Sequence, residues 1–152
     1  MERAIELARQ GVAEGYGGPF GAVVVRDGRV IGEGHNRVLS AIDPTAHAEI
    51  VAIRDAAHNE QRFDLTGTVI YANGFPCPMC MSAIFWARID RVYYACTPVD
   101  AEKIGFDDQQ FYRELAKPPA ERAVPAIQLP AFEEAGRASF QTWLARENRT
   151  PY

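Results

Sequence analysis

The chain has 152 residues, 47% hydrophobic and 24% charged, with a formal net charge of −4 and a sequence pI of about 5.4. That is the composition of an ordinary soluble globular protein, long enough for one domain with a substantial core, and no apolar run approaches the roughly 20 residues that cross a bilayer. The 16 basic residues are scattered among 20 acidic ones, which speaks against a grip on a nucleic-acid backbone.

The start, Met1-Glu2-Arg3-Ala4-Ile5-Glu6, reads as an amphipathic helix and not as a signal peptide. Residues 3–14 carry Ile5, Leu7, Ala8, Val12 and Ala13 at near-helical spacing. Gly15-Tyr16-Gly17-Gly18-Pro19 ends that helix. Phe20-Gly21-Ala22-Val23-Val24-Val25 predicts a strand, and Val30-Ile31-Gly32-Glu33-Gly34 predicts its hairpin partner across Asp27-Gly28. Asp43-Pro44-Thr45 reads as an N-cap with proline at the first helical position, opening a helix through His47 to about Ala57. A strand at 68–72, a helix at 79–88 and a strand at 91–96 follow. The order α-β-β-α-β-α-β predicts a mixed sheet with helices on its faces.

The last third differs. Five of the ten prolines fall at 118, 119, 125, 130 and 151. Lys117-Pro118-Pro119-Ala120-Glu121 reads as a connector, and 138–146 as a short helix carrying Phe140, Trp143 and Leu144. We read 1–152 as a single domain whose residues 117–152 form a proline-rich tail.

His47-Ala48-Glu49 and Pro76-Cys77-Pro78-Met79-Cys80 together supply one imidazole, two thiolates and one carboxylate. Three ligands leave a tetrahedral zinc with an open fourth position, the arrangement of a catalytic site. Each half alone is weak. The first occurs at many helix starts. The second is also the spacing of a redox pair or of half a structural zinc site, and strand, turn, C-x-x-C and helix is a thioredoxin-like layout. Pro76, Pro78 and the second helix start tilt the balance to one Zn²⁺ per chain, held by His47, Cys77 and Cys80.

His47 and Glu49 are two apart, so they share no helix face. They converge only if the helix starts at the site. Cys77 and Cys80 also open a helix, where free N–H groups favour thiolates. Two helix N-termini aimed at one metal are therefore expected. Zn²⁺, two thiolates and a neutral imidazole sum to zero charge, so a separate base is needed. Glu49 is the candidate: it would take a proton from the attacking water and pass protons to a ring nitrogen and the leaving amine. That chemistry is hydrolytic deamination of an aminated heterocycle. The third cysteine, Cys96, reads as a buried small hydrophobe on a strand. So few cysteines imply a reducing, cytoplasmic setting.

With these motifs the chain resembles the cytidine-deaminase-like zinc deaminases, whose signature is H-x-E followed by P-C-x-x-C. Within that superfamily it is most similar to small bacterial guanine deaminases. Gly18-Pro19-Phe20-Gly21-Ala22, the segment from Asp43 to Glu49, Trp86-Ala87-Arg88 and Gly105-Phe106-Asp107-Asp108 all carry the likeness. The resemblance implies an α/β, three-layer fold with a mixed five-stranded sheet flanked by helices. It implies a small nucleobase-like substrate, with guanine converted to xanthine and ammonia. Base-binding roles would fall on Phe20, Asn36, Trp86 and Asp108. It further implies a homodimer with exchanged C-terminal segments, in which Tyr152 closes the neighbouring pocket. One stretch departs: Asn73-Gly74-Phe75 stands where similar proteins carry a polar run ending in Glu. The alternatives left open are guanosine, cytosine, a pterin, a triazine or tRNA adenosine as substrate, or a non-catalytic zinc or redox module.

Overall fold

Helix α1 (Glu2–Ala13) precedes a hairpin of β1 (Gly21–Arg26) and β2 (Arg29–His35). Asp27 and Gly28 sit at the tip with φ of 49° and 77°, the paired left-handed conformations of a tight two-residue hairpin turn. The computed structural model describes residues 1–152 and resolves them into two compact units, 1–112 and 113–152.

In the first unit, β3 (Thr68–Gly74) pairs antiparallel with β1, and β4 (Arg91–Cys96) pairs parallel with β3, giving the order β2-β1-β3-β4. The sheet is mixed as expected, but it has four strands and not five. After β4 the chain turns into a helix instead. Thr97 and Asp100 form a reciprocal capping box, with Pro98 at the first position of α5 (Pro98–Lys103). Because β4 is an edge strand, Cys96 is exposed and not buried as its sequence context suggested.

Glycines decide how closely helices approach the sheet. A Cβ on Gly21 would lie 2.1 Å from the Ala4 carbonyl of α1, on one face. On the other, a Cβ on Gly34 would lie 2.3 Å from the carbonyl of Ala48 and 2.5 Å from the nitrogen of Ala52. Those alanines belong to α3 (Ala48–Asn59), which packs Ala48, Ala52 and Ala56 with Ala22, Val24 and Ile70. Ile84 of α4 (Pro78–Trp86) joins the same cluster. Helices thus cover both faces, and α3 rests on the backbone of β2, which fixes where its first turn points.

One helix start in the first unit differs from expectation by several residues. Asp43 does not cap α3. Its carboxylate accepts from the Thr45 amide at 2.8 Å and hydroxyl at 2.7 Å, closing a local turn. This follows one-turn α2 (Val38–Ala41), which ends at left-handed Ile42. α3 then begins at Ala48, with His47 as N-cap, and runs to Asn59. α4 begins at Pro78 with Cys77 as N-cap, and left-handed Arg88 follows its end. α6 (Gln109–Ala116) closes this stretch of chain.

In the second unit, Arg122 donates to the carbonyls of Lys117 and Leu115, each at 3.1 Å, and Glu114 accepts from the Ala123 amide at 2.8 Å. These bonds curl the proline connector into a turn. Two 3₁₀ turns, Pro119–Glu121 and Pro130–Phe132, lead to α7 (Glu133–Leu144), which starts five residues before the predicted 138. None of its residues is buried. No helix of the chain is long and apolar enough to cross a membrane.

Candidate metal centre and active site

The N-terminus of α3 delivers His47 and that of α4 delivers Cys77, both as N-caps with extended backbone. Cys80 follows one turn later. His47 Nδ1 lies 3.6 Å from each sulfur, and the sulfurs lie 3.6 Å apart. A tetrahedral zinc with Zn–S near 2.3 Å and Zn–N near 2.05 Å requires S···S of about 3.8 Å and S···N of about 3.6 Å. Spacing and donor chemistry therefore fit one Zn²⁺ per chain, and the expected convergence of two helix starts is realised. Glu49 is buried in the first turn of α3, and its carboxylate lies 3.4 Å from Cys80 Sγ.

Two buried thiols and a buried carboxyl crowd acidic groups at this point. Hydrogen bonds from Cys80 and His47 hold the Cys77 thiol down to about 4. Cys80 is pushed up by its hydrogen bond to Cys77, by burial and by the Glu49 charge. Burial is the main cause that raises Glu49, and the hydrogen bond with Cys77 raises His47. Zn²⁺ held by His47, Cys77 and Cys80 would offset this crowding of negative charge, with Glu49 beside it and outside the ligand set.

A cavity of about 250 Å³ opens beside these groups, walled by Phe20, Asn36, His47, Glu49, Phe75, Cys77, Phe106 and Asp108. Phe20 and Phe106 meet edge to face, with centroids 4.9 Å apart. Asn36 is buried, and its Oδ1 accepts from the amides of Gly18 and Val38 at 3.2 Å each. Its carbonyl is spent on holding the loop, which leaves the Nδ2 donor for a ligand. Asp107 and Asp108 divide their tasks: Asp107 accepts from the Gln110 amide at 3.4 Å at the start of α6, while Asp108 faces the cavity. Burial pushes the Asp108 carboxyl up.

The structure does not bring every predicted residue to this wall. Trp86 is 65% exposed, in the last turn of the helix whose first turn holds the ligands. Nine residues of helix separate those ends by roughly 13 Å. Tyr152 lies in the second unit and is 71% exposed. Phe75 does reach the wall, with its ring edge to face against Tyr94 at 5.0 Å. Its neighbour Asn73 bonds the Gly21 amide at 2.8 Å and the Pro19 carbonyl at 2.9 Å, fastening the loop that carries Phe20. Sequence reasoning assigned no role to Phe106 or to Tyr112, whose hydroxyl donates to the Pro76 carbonyl at 2.9 Å. The only available signal was proximity to Asp108.

The family model for the cytidine and deoxycytidylate deaminase zinc-binding region matches residues 1–96. Guanine deaminase of Bacillus subtilis (strain 168) is 45% identical over 152 residues, covering all of this chain and 96% of its own. A crystal structure of guanine deaminase from Bacillus subtilis matches 99% of this chain and 95% of its own with a TM-score of 0.93. The tRNA-specific adenosine deaminase of Haemophilus influenzae is 40% identical over 121 residues, 76% of this chain and 69% of that one. A structure of guanine deaminase from Nitrosomonas europaea is 32% identical, with a TM-score of 0.67, over 70% of this chain and 62% of its own. The chain belongs to the cytidine and deoxycytidylate deaminase family and is a zinc-dependent hydrolytic deaminase.

Proposed function

We propose that this enzyme deaminates guanine, consuming one water and releasing xanthine and ammonia. One observation carries the choice of base: the acceptor-only carboxylate of Asp108 shares a cavity wall with His47, Glu49 and Cys77. Guanine presents N–H donors that such a group can accept. Phe20 offers a flat apolar surface to the ring, and Asn36 Nδ2 offers a donor. When bound, Zn²⁺ supplies the Lewis acidity that makes a water molecule a competent nucleophile near neutral pH. Glu49 takes a proton from the attacking water and delivers it to the adjacent ring nitrogen, then takes the second proton from the hydroxyl now bonded to carbon and passes it to the amine, which leaves as ammonia while the carbonyl forms. Its burial keeps bulk water from competing for that proton. A cavity near 250 Å³ suits a free base, since pockets for drug-sized ligands begin at roughly 300 Å³.

The apolar ring of Phe75 favours a second reading, in which another neutral amino-heterocycle such as a pterin or triazine is the substrate. Ammonia release from guanine, cytosine, adenine, their nucleosides, pterins and triazines distinguishes the two. Guanine should show the highest kcat/KM. A clear preference for another heterocycle would overturn the assignment.

The exposed apolar side chains of the second unit, together with Phe85 and Trp86, support a homodimer with residues 117–152 exchanged. In that dimer Tyr152 of one protomer covers the cavity of the other, and Trp86 lies near the exchanged segment. A reducing cytoplasm suits the two ligand thiolates.

A further inference from the structure

We propose that Tyr112 is a positioning residue for base recognition: its hydroxyl ties the helix that presents Asp108 to the loop that presents Cys77. The inference rests on the proposed role of Asp108, but not on guanine being the preferred base. Tyr112 Oη donates to the Pro76 carbonyl at 2.9 Å, and Pro76 immediately precedes the N-cap ligand Cys77. Tyr112 stands four residues after Asp108, one helical turn onward and on the same side of α6. The Phe111 amide donates to the Asp108 carbonyl at 3.1 Å, so Asp108 moves with the first turn of that helix.

The chain leading to Asp108 passes through Gly105, whose φ is 94°. There the Gly105 amide bonds the Glu102 carbonyl at 2.9 Å and the Phe106 amide the Ala101 carbonyl at 3.0 Å, so that side of Asp108 is fastened to the end of α5 and not to the metal loop. On the other side, the tyrosine fastens α6 to the metal loop at two points. Its hydroxyl holds Pro76, and its ring lies 6.1 Å from that of Phe75, which leans on Tyr94. Pro76 is fully buried, so loss of the hydroxyl would strip a partner from a carbonyl beside the ligands. The tether therefore sets the distance between the base-binding carboxylate and the reacting centre.

The test is a double-mutant cycle of wild type, Tyr112→Phe, Asp108→Asn and the double variant. Each is assayed on whichever base the wild type turns over best. Tyr112→Phe keeps the ring and removes the hydroxyl. KM should rise about fivefold, the usual worth of one neutral hydrogen bond, with kcat and zinc content within twofold. In the double variant KM should equal that of Asp108→Asn alone, because the tether acts through the carboxylate. Equilibrium binding of the same base in a Glu49→Gln background should weaken by the same factor. An unchanged KM, strictly additive losses, or a loss that tracks only zinc content would overturn the proposal. A wild type that prefers a base other than guanine would overturn the substrate assignment while leaving the cycle readable on that base.

Discussion

Residues 1–112 seal Val23, Leu65, Ile70 and Ile84 almost completely from solvent, whereas in 113–152 Val124, Ile127, Leu129 and Phe132 remain 64–85% exposed. The first unit has a four-stranded sheet on which two layers of helix can bury their small apolar faces. The second has one twelve-residue helix and two 3₁₀ turns. A segment of that size, with no sheet, cannot remove enough apolar surface from water by itself. The ligands, Glu49 and the cavity all belong to the first unit. These groups all come from the first unit, while the second unit carries apolar groups that still need a surface to cover them.

The sharpest way to break this division is to remove the base. Glu49→Ala should lower kcat by about 10²–10⁴-fold, as expected for loss of a general acid–base group. Zinc should stay near one per chain by elemental analysis, and the oligomeric state should be unchanged. Cys80→Ala, by contrast, should lose both zinc and thermal stability. Near-wild-type turnover by Glu49→Ala would remove the basis for the mechanism.

A smaller effect is expected at the recognition wall. Asp108→Asn should reduce kcat/KM for guanine by tenfold or more, in line with the ~1–3 kcal/mol cost of an unpaired buried polar group, while zinc content holds. Equal guanine turnover in that variant would reduce Asp108 to a helix-capping neighbour of Asp107.

The mildest chemical effect should come from the second unit. Deleting residues from Ala138 onward should shift sedimentation towards monomers and lower turnover, with zinc retained. A truncated protein that stayed dimeric and fully active would show that the exposed side chains of this unit serve neither assembly nor the cavity.

Much of the first unit was legible in advance because its signals are short-range. The Asp27-Gly28 hairpin depends on two residues that tolerate positive φ. The helix starts at His47 and Cys77 could be argued from the need of residues two and three apart to converge on one ion. Asp43 misled because an aspartate before proline caps a turn as readily as a helix, and Thr45 satisfied it first. A fifth strand was implied by resemblance, but after β4 the Thr97–Asp100 capping box turns the chain into α5. An asparagine side chain both accepts and donates, and only the fold shows that the amides of Gly18 and Val38 occupy the Asn36 oxygen.

The sequence by itself determined the donor set and the hydrolytic chemistry and pointed to Glu49 as the base, because ligand identity and helix-start spacing are properties of neighbouring residues. Only the tertiary structure decided that helix starts thirty residues apart meet with their ligand atoms 3.6 Å from one another. That meeting depends on α3 lying against the bare backbone of Gly34 and on both helices sharing one core cluster. It also decided that Phe75 and Asp108, distant along the chain, face one cavity, and that Tyr112 bonds the loop between them. Contacts of that kind arise from packing summed over many elements, and no local pattern of residues encodes them.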